Sequence, residues 1–198
     1  MGLTLSEEGT VATSGGGGNY YCGRSAVCGG HEMRRGRHCA TFTLRSLDGG
    51  AAILGVVGVG FDPTSSGRAY ASSEGWLLST FHGHLLHAGR ASEWEGRPGQ
   101  LKEGDAIVRL PPSTPCSLCR LRLMRCVCRR ACCSTSTRLN SGHRAVWVNG
   151  VRKGVMVRPG MTDVDGEPVG RLEGPLRWAV ALGPNALVEI AGALSPPT

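Results

Sequence analysis

The sequence contains no long hydrophobic segment and few aromatic side chains. Aromatic residues occupy 5% of the 198 positions, and no apolar run approaches the roughly 20 residues that cross a membrane as a helix. The first residues show neither a basic nor an apolar leader, so we expect a cytoplasmic protein without a membrane anchor. A myristoylation pattern at Gly2 and Ser6 is common by chance, and the acidic residues that follow it oppose an anionic membrane surface.

Motifs of catalytic sites are also absent. The chain has no GxSxG, P-loop or HExxH, and Gly55–Gly60 does not complete a dinucleotide-binding pattern. The three histidines within His82–His87 have a spacing that zinc could use, and the acidic residues of Asp163–Glu167 form a weak calcium-loop pattern. Structural roles in turns account for both groups. We therefore predict no enzymatic activity, no catalytic residue, no metal and no cofactor.

Acidic residues are missing from one segment that is rich in arginine and cysteine. The chain has a net charge of +7, and the whole excess comes from the stretch between Pro111 and Ala145, which contains no aspartate or glutamate. Outside this stretch the basic and acidic residues are equal in number, so we do not predict nucleic-acid binding from the overall charge. Most of the cysteines lie in the same stretch, and without a secretory leader a disulfide framework is not predicted.

Several interpretations of residues 111–144 remain open. Their composition breaks with the rest of the chain and is typical of a translated intron or a frame error in GC-rich coding sequence, which is the interpretation we favour. Cys116 and Cys119 could begin a zinc site, although the crowded cysteines that follow do not match a zinc knuckle. The cysteines could also be free thiols in a cytosolic loop. RNA binding through the arginines would lack the aromatic residues on which bases stack.

Glycine and proline are abundant and divide the chain into short apolar strands. The strongest pattern is the hairpin Ala145–Val157, in which Asn149-Gly150 favours the positive φ angles of a tight turn. Ala51–Val59 is nearly continuously apolar and predicts a strand buried on both faces. Other strands are predicted at residues 1–13, 20–27, 39–44, 69–71, 76–80, 85–88, 106–110, 176–182 and 186–190. This pattern predicts an all-β sandwich.

Placed in order, several motifs resemble those of the SPRY domain, also called B30.2-like. Gly36-Arg37-His38 resembles the early signature of the family, and Gly104-Asp105 resembles the pair that precedes its central strand. Trp147-Val-Asn149-Gly150 resembles its tryptophan-containing hairpin, and Trp178-Ala-Val resembles a strand of its closing sheet. The resemblance implies a bent antiparallel β-sandwich of the jelly-roll type.

The resemblance covers residues 1–190, interrupted by the 111–144 insertion, and leaves residues 191–198 as a flexible tail. Because the family pattern has a continuous central strand where the insertion begins, we expect a gap at the centre of one sheet and an aggregation-prone protein. Residues 118–127 could replace the missing strand, since Arg120 to Leu123 alternates.

The resemblance implies a non-catalytic adaptor module that binds a protein or peptide through loops at one end of the sandwich, and we expect a monomer. We predict that the loops Asp62–Arg68, Gly89–Gly99 and Arg158–Gly170 form the contact surface. The predicted contact residues are Asp62, Arg68, Arg90, Trp94, Arg97, Arg158 and Asp163. For Trp94 a core position is the stronger alternative. Rival functions are a zinc- or RNA-binding protein that uses residues 111–144, and an enzyme or lectin on a sandwich scaffold.

Overall fold

The computed structural model describes residues 3–6, 10–15, 24–28, 32–34, 38–48, 50–64, 68–110, 144–170, 172 and 174–192. These residues form β-strands and one short 3-10 helix, Ala69–Ala71. The first strands are β1 (Leu3–Leu5), β2 (Val11–Ser14), β3 (Arg24–Val27), β4 (Ala40–Ser46), β5 (Ala52–Gly58), β6 (Gly75–Ser79) and β7 (Leu85–His87). The remaining strands are β8 (Arg90–Ser92), β9 (Ala106–Leu110), β10 (Arg144–Val148), β11 (Val151–Val157), β12 (Leu176–Leu182) and β13 (Leu187–Ala191).

The strands pair into two antiparallel sheets. One has the order β1-β2-β13-β4-β9-β10-β11, and the other has the order β3-β12-β5-β6-β7-β8. Their inner faces share one apolar core, in which Phe42 of the first sheet meets Trp178 of the second edge to face at 5.8 Å. The predicted all-β sandwich of antiparallel sheets is thus confirmed. No helix in the described part of the chain has the length and apolar character to cross a membrane.

The prediction that Ala51–Val59 is buried on both faces is confirmed by β5. Leu54 and Val56 point into the core between the sheets, whereas Ile53 and Val57 belong to a second apolar cluster on the outer face. Phe61 and the 3-10 helix cover that outer face. The chain after β5 therefore folds back over its own sheet, and this explains why the strand is not amphipathic.

The predicted hairpin around Asn149-Gly150 is confirmed. The two turn residues have φ angles of 51° and 78°, as a tight two-residue turn between twisted strands requires. The side chain of Asn149 ties the turn to the neighbouring strand, because its Oδ1 accepts the Ala106 amide at 2.9 Å and its Nδ2 donates to Asp105 at 2.7 Å.

The expectation of a gap at the centre of the sheet is wrong. β9 pairs directly with β10, with Leu110 opposite Ala145 and Ile107 opposite Val148, and β9 also pairs with β4. The strands that flank residues 111–143 therefore complete the ladder by themselves, and no substitute strand is needed. The stretch 118–127 and the cysteines considered for zinc lie outside the described residues.

Three local predictions also need correction. Residues 69–71 were expected to form a strand but form the 3-10 helix, whose first amide, on Ala69, donates to the Ser25 hydroxyl at 3.0 Å. The region 1–13 was expected to hold one strand, but β1 and β2 are separate and pair with each other. Arg90–Ser92 was placed in a loop but forms β8, which pairs with β7.

Candidate functional site

The predicted contact residues do not all share one end of the sandwich. Arg90 begins β8 opposite His87, and the strand ends at Ser92. Beyond that end, the chain turns toward residues 80–84, where Arg97 Nη1 donates to the carbonyl of His82 at 3.4 Å. Three residues of the predicted loop Gly89–Gly99 form the strand β8. The residues before and after this strand therefore contribute to two surfaces at opposite ends of β8.

Arg90 and Asp163 join the β7–β8 turn to the loop that follows β11. Arg90 Nη1 lies 3.1 Å from Asp163 Oδ2, and Asp163 Oδ1 accepts the amides of Asp165 and Glu167, each at 2.9 Å. Burial opposes the charge of Asp163, but Arg90 and the two amides outweigh it, so the pKa of Asp163 lies below its ordinary value. The same hydrogen bond raises the pKa of Arg90. One carboxylate thus shapes its own loop and fastens it to the neighbouring turn.

The far side of that loop rests on an aromatic pair. Trp76 stacks on His87 with ring centroids 4.9 Å apart and planes 17° apart. Trp76 Nε1 donates to the carbonyl of Gly170 at 3.1 Å, and His87 Nδ1 donates to the carbonyl of Gly75 at 2.8 Å. The loop after β11 is therefore attached to the sandwich both at Arg90 and at Gly170.

Asp62 and Arg68 lie in the segment that covers the outer face of the second sheet. Asp62 accepts hydrogen bonds from the amide and hydroxyl of Thr64, at 2.8 and 2.7 Å. Arg68 donates to the Tyr70 hydroxyl at 2.9 Å, and its guanidinium lies 6.0 Å from the ring centroid. The Tyr70 carbonyl in turn accepts the amide of Gly89 at 2.9 Å. This segment is consequently connected to the turn that carries Arg90.

We call the residues brought to this side the Arg90 surface. It comprises Arg68, Arg90, Asp163 and Val164. Arg158 starts the loop that carries Asp163, but its Nη1 lies 3.8 Å from Glu95, so this ion pair joins the loop to the segment that carries Trp94 and Arg97. Val164 lies at the tip of the same loop and is 67% exposed. The surface therefore combines charges of both signs with one exposed apolar side chain.

Trp94 belongs to the core. It is 5% exposed, and its Nε1 donates to the carbonyl of Gly83 at 2.8 Å. The loop around it packs closely against β11, since a Cβ on Gly96 would lie 1.8 Å from the Lys153 carbonyl oxygen. The core interpretation of this tryptophan is therefore confirmed, and the side chain offers almost no surface to a partner.

The comparisons with known proteins agree with this architecture. Neither a protein-family model nor a curated protein matches the sequence. Among solved structures, the SPRY domain of human HERC1 superposes with a TM-score of 0.61 at 15% identity, covering 98% of this chain and all of the other. A second human SPRY domain superposes with a TM-score of 0.56 at 10% identity, covering 98% of this chain and 97% of the other. This chain has the SPRY-domain fold. The likeness inferred from the sequence motifs is thus confirmed at the level of the fold.

Within this SPRY fold, the histidines considered for zinc are not brought together. His82 and His84 stack with centroids 5.4 Å apart, whereas His87 stacks on Trp76. Among the described residues, no group of three or more histidine, cysteine, aspartate or glutamate side chains is placed to hold a metal ion. The acidic groups of the weak calcium pattern include Asp163, which is instead occupied by Arg90 and backbone amides.

Sequence reasoning missed Arg109. Its side chain is 0% exposed and lies between the sheets of the SPRY fold, where Nη1 donates to the Leu54 carbonyl at 2.6 Å and Nη2 lies 3.2 Å from Met156 Sδ. Its Nε has no hydrogen-bond partner among the described residues. Burial lowers the pKa of Arg109 from its ordinary value to about 9. The burial of Arg109 could have been predicted from the alternation of side chains along β9, which places Arg109 on the same face as the buried Ile107.

Proposed function

We propose that this chain is a protein-interaction module that binds a peptide segment of another protein through the Arg90 surface. The observation that carries the proposal is the Arg90–Asp163 ion pair, which joins loops from two separate parts of the chain into one surface. The SPRY fold of the chain supports this function by analogy, since the fold serves as a scaffold for interaction loops. The module acts as a monomeric, non-catalytic adaptor in the cytoplasm.

The surface is preorganised for binding. The loop after β11 is held by hydrogen bonds between its own backbone groups. The Asp163 amide donates to the Glu167 carbonyl at 2.8 Å, and the Val169 amide donates to the Met161 carbonyl at 2.8 Å. A loop that is ordered before binding loses less conformational entropy when a partner arrives. Val164 at its tip then offers an apolar contact, and desolvating that contact favours association.

The charge pattern favours a protein partner over nucleic acid. Arg68 and Arg90 are exposed, but Asp165 and Glu167 are exposed on the loop that carries Asp163. A phosphate backbone would meet these carboxylates unfavourably, whereas a peptide with both signs of charge can match them. We therefore infer a ligand of mixed charge with an apolar side chain for Val164.

The proposal can be tested by selecting displayed random dodecapeptides on the intact chain and measuring the affinity of a selected peptide for variants. Arg68→Ala and Val164→Ser should each weaken binding by about fivefold or more, which corresponds to the loss of about 1 kcal/mol at an interface. Arg45→Ala, on the exposed face of β4, is the control and should bind normally. Unchanged affinity in both test variants would contradict the proposal, and so would losses that circular dichroism traces to unfolding.

A further inference from the structure

The turn between β6 and β7 presents a ladder of rings at the end of β7 opposite the turn that carries Arg90. Phe81 is 53% exposed, and its ring meets His82 edge to face with centroids 4.5 Å apart. His82 stacks on His84 at 5.4 Å with planes 28° apart. Aromatic side chains are enriched at the centres of protein interfaces, so this exposed stack of rings is a candidate contact for a partner.

The backbone holds this ladder rigidly. Gly83 has a φ of 70°, and a Cβ at this position would lie 1.8 Å from the Pro98 carbonyl oxygen. Its amide donates to Ser79 at 2.9 Å, and its carbonyl accepts Trp94 Nε1 at 2.8 Å. The backbone of the turn is thus held against the 94–98 segment before any partner binds.

A carboxylate already sits beside the ladder. Glu93 Oε1 lies 2.8 Å from Arg97 Nη2 and 3.7 Å from His84 Nε2. Arg97 Nη1 also donates to His84 Nε2, an atom that accepts only when the imidazole is neutral. Glu93 is 64% exposed, so its carboxylate is loosely held, and it shows that a carboxylate fits between these two groups.

We propose that Phe81, His82, His84 and Arg97 form a second docking site, which binds an acidic peptide segment of a partner protein that also carries an apolar side chain. A partner carboxylate occupies the position between Arg97 and His84 that Glu93 now approaches, and the apolar side chain packs on Phe81. Arg97 carries the positive charge of the site, and Glu93, which now pairs with it, is the carboxylate that the partner displaces. This site is separate from the Arg90 surface, so either can fail without the other.

Binding at this site should strengthen as the pH falls. The charged and titratable groups that face His84 are Arg97, His82 and Glu93. Burial, followed by Arg97 and His82, lowers the pKa of His84, and Glu93 opposes the shift. A partner carboxylate favours the protonated imidazole, so binding takes up a proton and tightens as the pH drops through the pKa of His84 in the complex. The proposed site rests on the positions of the rings and of Arg97 and does not depend on this pKa shift.

The site can be tested with a blocked pentapeptide that alternates glutamate with phenylalanine and leucine, titrated into the intact chain to millimolar concentration and followed by amide chemical shifts. Shifts should concentrate in residues 80–84 and 93–97, and replacing the glutamates by lysines should abolish them. Arg97→Gln should weaken binding on the order of tenfold, since hydrogen bonds to charged groups have that strength. Glu93→Gln should strengthen binding, because it removes the competing carboxylate, and Arg45→Gln should change nothing.

Each other outcome overturns the proposal. Equal binding of the lysine peptide would show a purely apolar contact, and shifts confined to the Arg90 surface would place acidic peptides there. Shifts that depend on protein concentration without peptide would mean that a second copy of the chain covers Phe81. Absence of shifts at millimolar peptide, or an unchanged affinity in Arg97→Gln, would equally remove the site.

Discussion

Replacing Arg109 with methionine is expected to stabilise the protein. The guanidinium lies in the core between the sheets, with the Leu54 carbonyl and the Met156 sulfur as its hydrogen-bond partners and no carboxylate paired with it among the described residues. The segment 111–143 contains no acidic residue that could serve as a counterion. A buried charge without a counterion opposes folding, because it loses its hydration without a compensating attraction.

The magnitude follows from the pKa. Burial lowers the pKa of Arg109 from its ordinary value to about 9, so the guanidinium remains charged at pH 7 in both the folded and unfolded states. At about 1.4 kcal/mol per unit, keeping that charge in the core costs about 5 kcal/mol. The substitution also removes the hydrogen bond to Leu54, and this loss offsets about 1–2 kcal/mol of the stability gained by removing the buried charge. Arg109→Met should therefore raise the free energy of unfolding by about 3 kcal/mol.

Urea unfolding followed by tryptophan fluorescence would measure this change, with Arg45→Met as the control. Arg45 is exposed and pairs with Glu189 at the surface, so its replacement should change stability by less than about 1 kcal/mol. The wild-type free energy of unfolding should also rise as the pH increases above about 9, because the unfolded state retains the arginine proton there and the folded state does not. Arg109→Met should lose that rise. Destabilisation by Arg109→Met would contradict this prediction and indicate that the guanidinium has an anionic partner.

Three further predictions test the loops and the insertion. Asp163→Asn should speed hydrogen exchange of the Asp165 and Glu167 amides, which donate to this carboxylate, by about tenfold or more, and exchange in β5 should not change. Equal exchange rates in the variant and the wild type would mean that other contacts hold the loop. Gly96→Ala should lower the free energy of unfolding by about 2–4 kcal/mol in chemical denaturation, because the position has a φ of 79° and its Cβ would meet a backbone carbonyl, whereas Gly99→Ala should have little effect. Replacing residues 111–143 with an Asn-Gly turn should preserve the fold and stabilise it by about 2 kcal/mol through the shorter loop, as seen in thermal unfolding; a chain that no longer folds would show that the segment supports the sandwich.

The elements that could be predicted from the sequence are those with a local signal. Asn149-Gly150 specifies its turn through backbone φ preferences, and the continuous apolar run of Ala52–Gly58 reports burial on both faces. The pairing of Leu110 with Ala145 could not be predicted in this way. The free energy of closing a long loop grows only slowly with its length, so an insertion that interrupts the sequence need not interrupt the ladder.

The candidate surfaces depended on contacts between distant residues. Arg90 and Asp163 are far apart in sequence, and nothing local in either segment indicates their ion pair. The loop predicted at Gly89–Gly99 was too long because Arg90–Ser92 is polar and short, yet it pairs with β7 at the edge of the sheet. That strand places Arg97 beside His84, which separates it from Arg90 and Asp163.

A hydrogen-exchange footprint of a selected peptide on the intact chain tests most directly whether the module binds its partner at the Arg90 surface. We expect the peptide to slow exchange in residues 59–72 and 158–170, which contain the loops of that surface. Protection confined to other parts of the chain, or no protection at saturating peptide, would contradict the assignment of this surface as the site where the module binds its partner.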